Sequence, residues 1–322
     1  MATRPRTSRL RRTLLAALVA ASVAVPVSGA AGPAAVPAPA PADLGPLGPA
    51  TPAALGERYA ASRTDIRAAE RTAAGHGDRR RAAVLRTLAD PDRRFLSFDG
   101  RDGGRTTEVF GDLAHALRIA VLVPGSDTSL DSYGRLGAGA EALRRELGEG
   151  AAVVAWLGYK TPGTASRQIL TDRSAVAAAP RLADFVRELS AAVPGSRTTL
   201  LCHSYGSVVC ARAAADLPVA GIVLYGSPGT GARNVESLHT DATVWAGRSA
   251  DDWIADVPHG RLPLGFATVG FGADPMAPAF GARVFDAGPG GHSDYLRPGS
   301  VPLRNMARIV NGHAVSEERG HA

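Results

Sequence analysis

Lysine is nearly missing from the chain. Lys160 is the only one, and all other fixed basic charge is arginine. A nucleotide-gripping loop needs a lysine within a glycine-rich turn, and Lys160 stands in none, so phosphate-loop chemistry is excluded. Cysteine is equally scarce, with Cys202 and Cys210 alone. Two cysteines and scattered histidines give no metal-ligand spacing, and no metal or organic cofactor is expected. The pair lies eight positions apart across a strand-to-helix turn, a separation that works against the approach a disulfide requires. They are read as buried free thiols, with a disulfide the less favoured alternative. An excess of basic charge is also missing once its location is noticed. Of the net +6, five come from Arg4, Arg6, Arg9, Arg11 and Arg12, leaving +1 for the remainder. That is no footprint for nucleic acid.

The five arginines belong to a basic leader, "MATRPRTSRLRR". The apolar stretch after it, "TLLAALVAASVAVPV", is short for a bilayer span and closes at Pro26. Small Ser28 and Ala30 follow where a signal peptidase cuts. Residues 1–30 are therefore expected to be a signal peptide, loosely twin-arginine in pattern at Arg11-Arg12. The protein is expected to be secreted, with no stable membrane span after cleavage and with cell-wall association as one destination. Residues 31–53 are rich in Pro and Ala and read as an extended tether without a core. Residues 54–90 are helix-forming, with a break near Gly75-His76-Gly77. They are expected to be a helical extension that packs on the domain behind, which spans 91–322.

Strands and helices then alternate. "RFLSFDG" and "TTEVFGDL" flank the turn "GRDGG" and read as a hairpin. Asp99, Asp102 and Glu108 fit turn chemistry, since their spacing matches no calcium loop. "RIAVLVPGS", "AAVVAWLGY", "TTLLCHSYG", "AGIVLYGSPG", "ATVWAG" and "ARVFDAG" read as strands, several of them unbroken apolar runs. Helical stretches lie between, and "LRNMARIVNG" is the last. Unbroken apolar strands alternating with helices imply a mostly parallel central sheet covered by helices on both faces.

Ser204 stands where one such strand turns into a helix, in "TTLLCHSYGSVVCARAAADL". Open α/β sheets place their sites at the carboxyl ends of strands. A serine on such an elbow needs small neighbours two before and two after, here Cys202 and Gly206. It also needs a base, because a hydroxyl alone is a weak nucleophile. An oxyanion site would use the backbone N–H of Tyr205 and that of Ser126 in the turn of "VPGSDTS". The acid and base should follow in chain order. "RSADDWIADVPHG" offers Asp251, Asp252 and Asp256, and "GPGGHSDYLRPGS" offers His292. His203, beside the serine on the strand, is expected to point away from it. His76, His115, His239, His259, His313 and His321 lack a supporting pattern.

"VPGS", "HSYGS", "YGSPG", "DDWIADVP", "DPMAPAFGARVF" and "GHSDYLRPGSVPLRN" together resemble an actinobacterial family of exported α/β-hydrolases, over roughly Phe95 to Gly312. The resemblance implies the α/β-hydrolase fold and a triad of Ser204, Asp252 and His292. The family more often carries glycine where Cys202 stands. The expected activity is hydrolysis of carboxylic esters of small molecules or lipids through an acyl-enzyme on Ser204. Acyl transfer, or amide or peptide cleavage by the same triad, is an alternative. A binding protein on a hydrolase scaffold, with no turnover, is another.

Overall fold

A computed structural model describes residues 37–164, 172–257, 260–264 and 267–315. The expected signal peptide, the start of the tether, His259 and His321 lie outside the described residues. Two helices come first, α1 (Pro52–Gly75) and α2 (Arg79–Leu88). Thr51 caps α1 by accepting the Ala54 N–H at 3.2 Å, with Pro52 behind it fixing the first turn. Asp78 caps α2 in the same way from the Arg81 N–H.

The sheet-forming elements follow as β1 (Arg94–Asp99), β2 (Arg105–Gly111), β3 (Arg118–Val123), α3 (Tyr133–Leu147), β4 (Ala151–Leu157), α4 (Arg173–Ala192), β5 (Arg197–His203), α5 (Gly206–Ala213), β6 (Gly221–Tyr225) and β7 (Thr243–Gly247). The chain continues through β8 (Gly260–Leu264), β9 (Ala267–Gly272), β10 (Arg283–Val284) and α6 (Val301–Val310). Eight strands form one sheet in the order β1-β2-β4-β3-β5-β6-β7-β10. The β1–β2 hairpin and the β2–β4 pair are antiparallel, and every pair from β4 onward is parallel. This is the α/β-hydrolase fold.

The pleat explains the apolar runs. Along β3, Ile119, Val121 and Val123 face a layer with α4 and α5, while Ala120 and Leu122 face a layer with α3 and α6. Both faces are covered, so β3, β4 and β6 have no position left for a charged side chain between their first residues and their ends. Helix α3 is tied to the hairpin by a buried polar cluster. Arg93 donates twice to Glu108, at 2.6 and 2.7 Å, and the Tyr133 hydroxyl donates to the same carboxylate at 2.9 Å. A carboxylate buried this deeply is costly unless its hydrogen-bonding partners stay in place.

Two features depart from the sequence reading. Residues 37–50 were expected to be a free tether, yet they lie clasped along the domain. Arg58 donates to the carbonyls of Leu44, Gly45 and Pro46 at 3.2, 2.9 and 3.1 Å, and to that of Leu96 at 2.9 Å. The Leu47 N–H donates to Glu188, the Ala50 N–H donates to the Ala192 carbonyl, and Ala50 joins the core. A Pro/Ala chain has few donors of its own, so its carbonyls are satisfied by a guanidinium from the next helix. The second departure is the antiparallel pair β8–β9, to which the sequence reading gave no element.

Candidate active site

Strand β5 delivers Ser204 to the carboxyl edge of the sheet, and α5 leaves from the next turn. Ser204 has φ +51°, a left-handed conformation that side-chain-bearing residues rarely hold. Its N–H donates to the Tyr225 carbonyl at 3.0 Å, which fastens the elbow to β6. The tight turn requires Gly206. A Cβ there would sit 2.6 Å from the Val123 carbonyl oxygen and 2.7 Å from that of Pro124. The turn after β3 presses on the serine just as closely, since a Cβ on Gly125 would come within 2.7 Å of the Ser204 Cβ.

The thiol expectation is corrected here. Cys202 and Cys210 form a disulfide, both fully buried, with Cα atoms 6.4 Å apart. The elbow is sharp enough to fold α5 back along β5, and that brings positions eight apart into bridging range. The bridge spans the turn that carries Ser204.

The loops after β7 and β10 complete the array. Ser204 Oγ lies 2.9 Å from His292 Nε2. His292 Nδ1 lies 2.9 and 3.1 Å from the two oxygens of Asp252. Asp252 is buried and also accepts the Ile254 N–H at 2.9 Å. Burial alone would raise its carboxyl, but hydrogen bonds from His292, Tyr295 and Ile254 outweigh it and hold the group below the ordinary carboxylate range. Asp251 is exposed and, among the described residues, accepts only the Gly290 N–H, at 3.3 Å. Asp256 is exposed, and Asp274 pairs with Arg248. Of the carboxylates considered, the structure brings Asp252 alone to the imidazole.

Two further residues join the site that the sequence reading did not assign to it. The Tyr295 hydroxyl donates to Asp252 Oδ2 at 2.5 Å and accepts the Ser249 N–H at 3.0 Å. His203 does not point away from the site. Its Nε2–H donates to the backbone carbonyl of His292 at 2.8 Å, and the two rings stand 4.7 Å apart. Burial, and then the neighbouring His292, push the His203 imidazole down to about 3. His203 is thus neutral, and its proton is on Nε2 because a carbonyl can only accept. Of the other histidines among the described residues, none lines the cavity or the triad; His115, for instance, pairs with Asp112 on the surface.

A cavity of about 420 Å³ opens over Ser204 and His292. Ser126 lines it, and its hydroxyl oxygen is buried without a hydrogen-bond partner among the described residues. Tyr205 follows the serine directly and opens α5. The backbone N–H groups of Ser126 and Tyr205 belong to the two turns that meet at Ser204. A serine hydroxyl, an imidazole and a carboxylate in one hydrogen-bonded line can move a proton off the hydroxyl while holding the resulting cation. Among the described residues, no cluster of histidine, cysteine or acidic side chains has a metal-binding arrangement.

Comparison with known proteins gives the chain a family. An uncharacterized protein of Mycobacterium tuberculosis is 32% identical over 252 residues, covering 68% of this chain and 38% of its own length. The chain thus spans well under half of that relative. An uncharacterized protein of Mycobacterium bovis is 34% identical over 181 residues, covering 52% of this chain and 64% of its own. Among solved structures, the esterase PE8 superposes with a TM-score of 0.44 at 16% identity, covering 64% of this chain and 97% of that one. A Xanthomonas campestris serine hydrolase described as lacking a lid superposes with a TM-score of 0.43 at 18% identity, over 69% of this chain and 94% of its own. Residues 99–261, which hold the elbow and the Asp252 turn, match the family described as alpha/beta hydrolase, and the chain belongs to that family.

Proposed function

We propose that the protein is an exported serine hydrolase that cleaves carboxylic esters through an acyl-enzyme on Ser204. The observation that carries the reading is the hydrogen-bonded line from Ser204 Oγ to His292 Nε2 and from His292 Nδ1 to Asp252. Ser204 attacks the ester carbonyl carbon while His292 takes the hydroxyl proton. The N–H groups of Ser126 and Tyr205 bind the oxyanion that forms. The tetrahedral intermediate collapses, the ester C–O bond breaks, and His292 returns the proton to the departing alcohol. Water then attacks the acyl-enzyme with His292 again as base. The carboxylic acid leaves and Ser204 regains its proton. Asp252 holds the imidazole tautomer and stabilises the imidazolium.

The basic leader and the small residues at Ser28 and Ala30 add export to the proposal. The buried disulfide suits an oxidising compartment. No helix among the described residues is long and apolar enough to cross a membrane. The test is labelling with a fluorophosphonate, peptide mapping of the adduct, and a panel of 4-nitrophenyl esters against the matching anilides. The expected result is an adduct on Ser204, ester turnover exceeding anilide turnover, and loss of both label and turnover in Ser204→Ala. An adduct elsewhere, or a folded Ser204→Ala protein with unchanged turnover, refutes the reading. N-terminal sequencing of protein from culture medium should begin near Ala31.

A further inference from the structure

The cavity over Ser204 has one wall without a counterpart in the mechanism. Helix α3 forms it. Tyr133, the first residue of α3, is buried and bonded to Glu108, which in turn holds Arg93. That anchor fixes the first turn of α3, and Arg135 projects from the same turn into the cavity lining.

Arg135 is exposed and has no hydrogen bond or ion pair with any described residue. Its arginine neighbours are occupied. Arg81 holds Asp131, Arg93 holds Glu108, Arg144 donates to the Gly148 carbonyl and Arg145 pairs with Glu141. Arg135 thus keeps its five donors for whatever enters the cavity. Its charge also acts, as the smallest of several influences, to keep the neighbouring His203 imidazole unprotonated. The start of α3 adds potential of the same sign.

The rest of the lining sorts by chemistry. Leu136, Leu296 and the half-exposed Trp253 supply apolar surface, and the Trp253 ring stands 4.8 Å from that of His292. Among the described residues, Asp127 is the one acidic side chain lining the cavity. Its carboxylate is already taken by Thr164, accepting the N–H at 3.1 and 3.2 Å and the hydroxyl at 2.6 Å. Among the described residues, the cavity therefore offers an apolar surface beside the nucleophile and one uncommitted, always-charged fork on the helix wall.

We propose that Arg135 is a specificity-determining residue that selects esters carrying an oxyanion, a carboxylate or a phosphate, on the portion of the substrate that lies along α3. This rests on the serine-hydrolase reading above. A guanidinium fork matches either anion with two parallel hydrogen bonds, whereas a neutral ester leaves it solvated.

The experiment compares kcat/KM on matched pairs at low ionic strength. One pair is 4-nitrophenyl hydrogen succinate against 4-nitrophenyl butyrate, which places a carboxylate on the acyl side. The other is 1-butyrylglycerol 3-phosphate against 1-butyrylglycerol, which places a phosphate on the alcohol side. The readout is the anionic-to-neutral ratio in the wild type, Arg135→Gln and Arg135→Lys. The expected result is a ratio that falls about tenfold in Arg135→Gln for at least one pair, falls less in Arg135→Lys, and shrinks in the wild type as salt is raised. The pair that responds names the anion and the side of the ester it occupies. Ratios in Arg135→Gln equal to wild type for both pairs overturn the proposal while ester turnover leaves the hydrolase reading standing. No turnover of any ester by folded wild type removes both.

Discussion

Acid should destabilise this protein through His203 more than through an ordinary histidine. In the folded state the imidazole is held down to about 3 by burial and by the ring of His292 beside it. In the unfolded chain a histidine titrates near ~6.5. Between those values the unfolded chain binds a proton that the folded one refuses. Stability from this group is complete above the unfolded value and is lost as the pH falls toward the folded one. At about 1.4 kcal/mol per unit of pKa difference, going from about pH 7 to about pH 4 removes up to about 3 kcal/mol through this one side chain. That figure is a ceiling, because the edge of the ring reaches the cavity and is screened there. The groups that face His203 are His292, Tyr225 and Tyr295, with the charges of Asp252 and Arg135 acting on it from further off.

The assay is urea unfolding of the wild type and His203→Gln across that pH range. Glutamine keeps an N–H donor for the His292 carbonyl and does not titrate. Every other ionisable group is common to both proteins, so the difference between the two stabilities isolates His203. The wild type should lose its advantage, or deepen its deficit, by about 2–3 kcal/mol between neutral and acid pH. A difference that stays constant across the range refutes the claim that His203 is held neutral in the fold.

Three shorter predictions follow from the same geometry. Asp252→Asn should lower kcat by on the order of 10⁴ by leaving His292 in the wrong tautomer, while Asp251→Asn, whose carboxylate touches only the Gly290 N–H, should change it little; steady-state kinetics at one pH separates them. Tyr295→Phe removes a donor worth about 1.5–3 kcal/mol to the Asp252 carboxylate and should raise the carboxyl from its depressed position, so kcat should drop at least tenfold and activity should fail at a higher pH on the acid side than in the wild type. Replacing both cysteines by alanine opens a nine-residue loop and should cost about 2–3 kcal/mol in urea unfolding on the chain-entropy account, and a double variant as stable as wild type would show that the elbow does not depend on the bridge.

Local pattern made some features of this fold legible and long-range geometry hid others. Strands β3, β4 and β6 are buried on both faces, so their apolar runs could be read without knowing their neighbours. The elbow was legible because its demand is local: Gly206 must lack a Cβ where two carbonyls stand within 2.7 Å. The chain order of Ser204, Asp252 and His292 follows from where the strands end, and the structure brings these three into one hydrogen-bonded line. The disulfide was hidden because sequence separation says nothing of how sharply α5 doubles back on β5. Tyr295 and His203 were hidden for a related reason. Each acts through the loop that carries His292, and that loop acquires its shape only when Asp294 closes it, its N–H donating to the Gly291 carbonyl and its carboxylate accepting the Gly291 N–H. Closure sends Tyr295 inward to the acid and sets the His292 carbonyl over His203. A tyrosine three residues beyond a loop histidine, directly after the glycine and polar run Gly290 to Asp294, is the signal available to a reader of sequence. It has a physical basis, since a large aromatic in such a loop gains from burial only if its hydroxyl finds a partner, and here the nearest buried acceptor is the acid of the site itself.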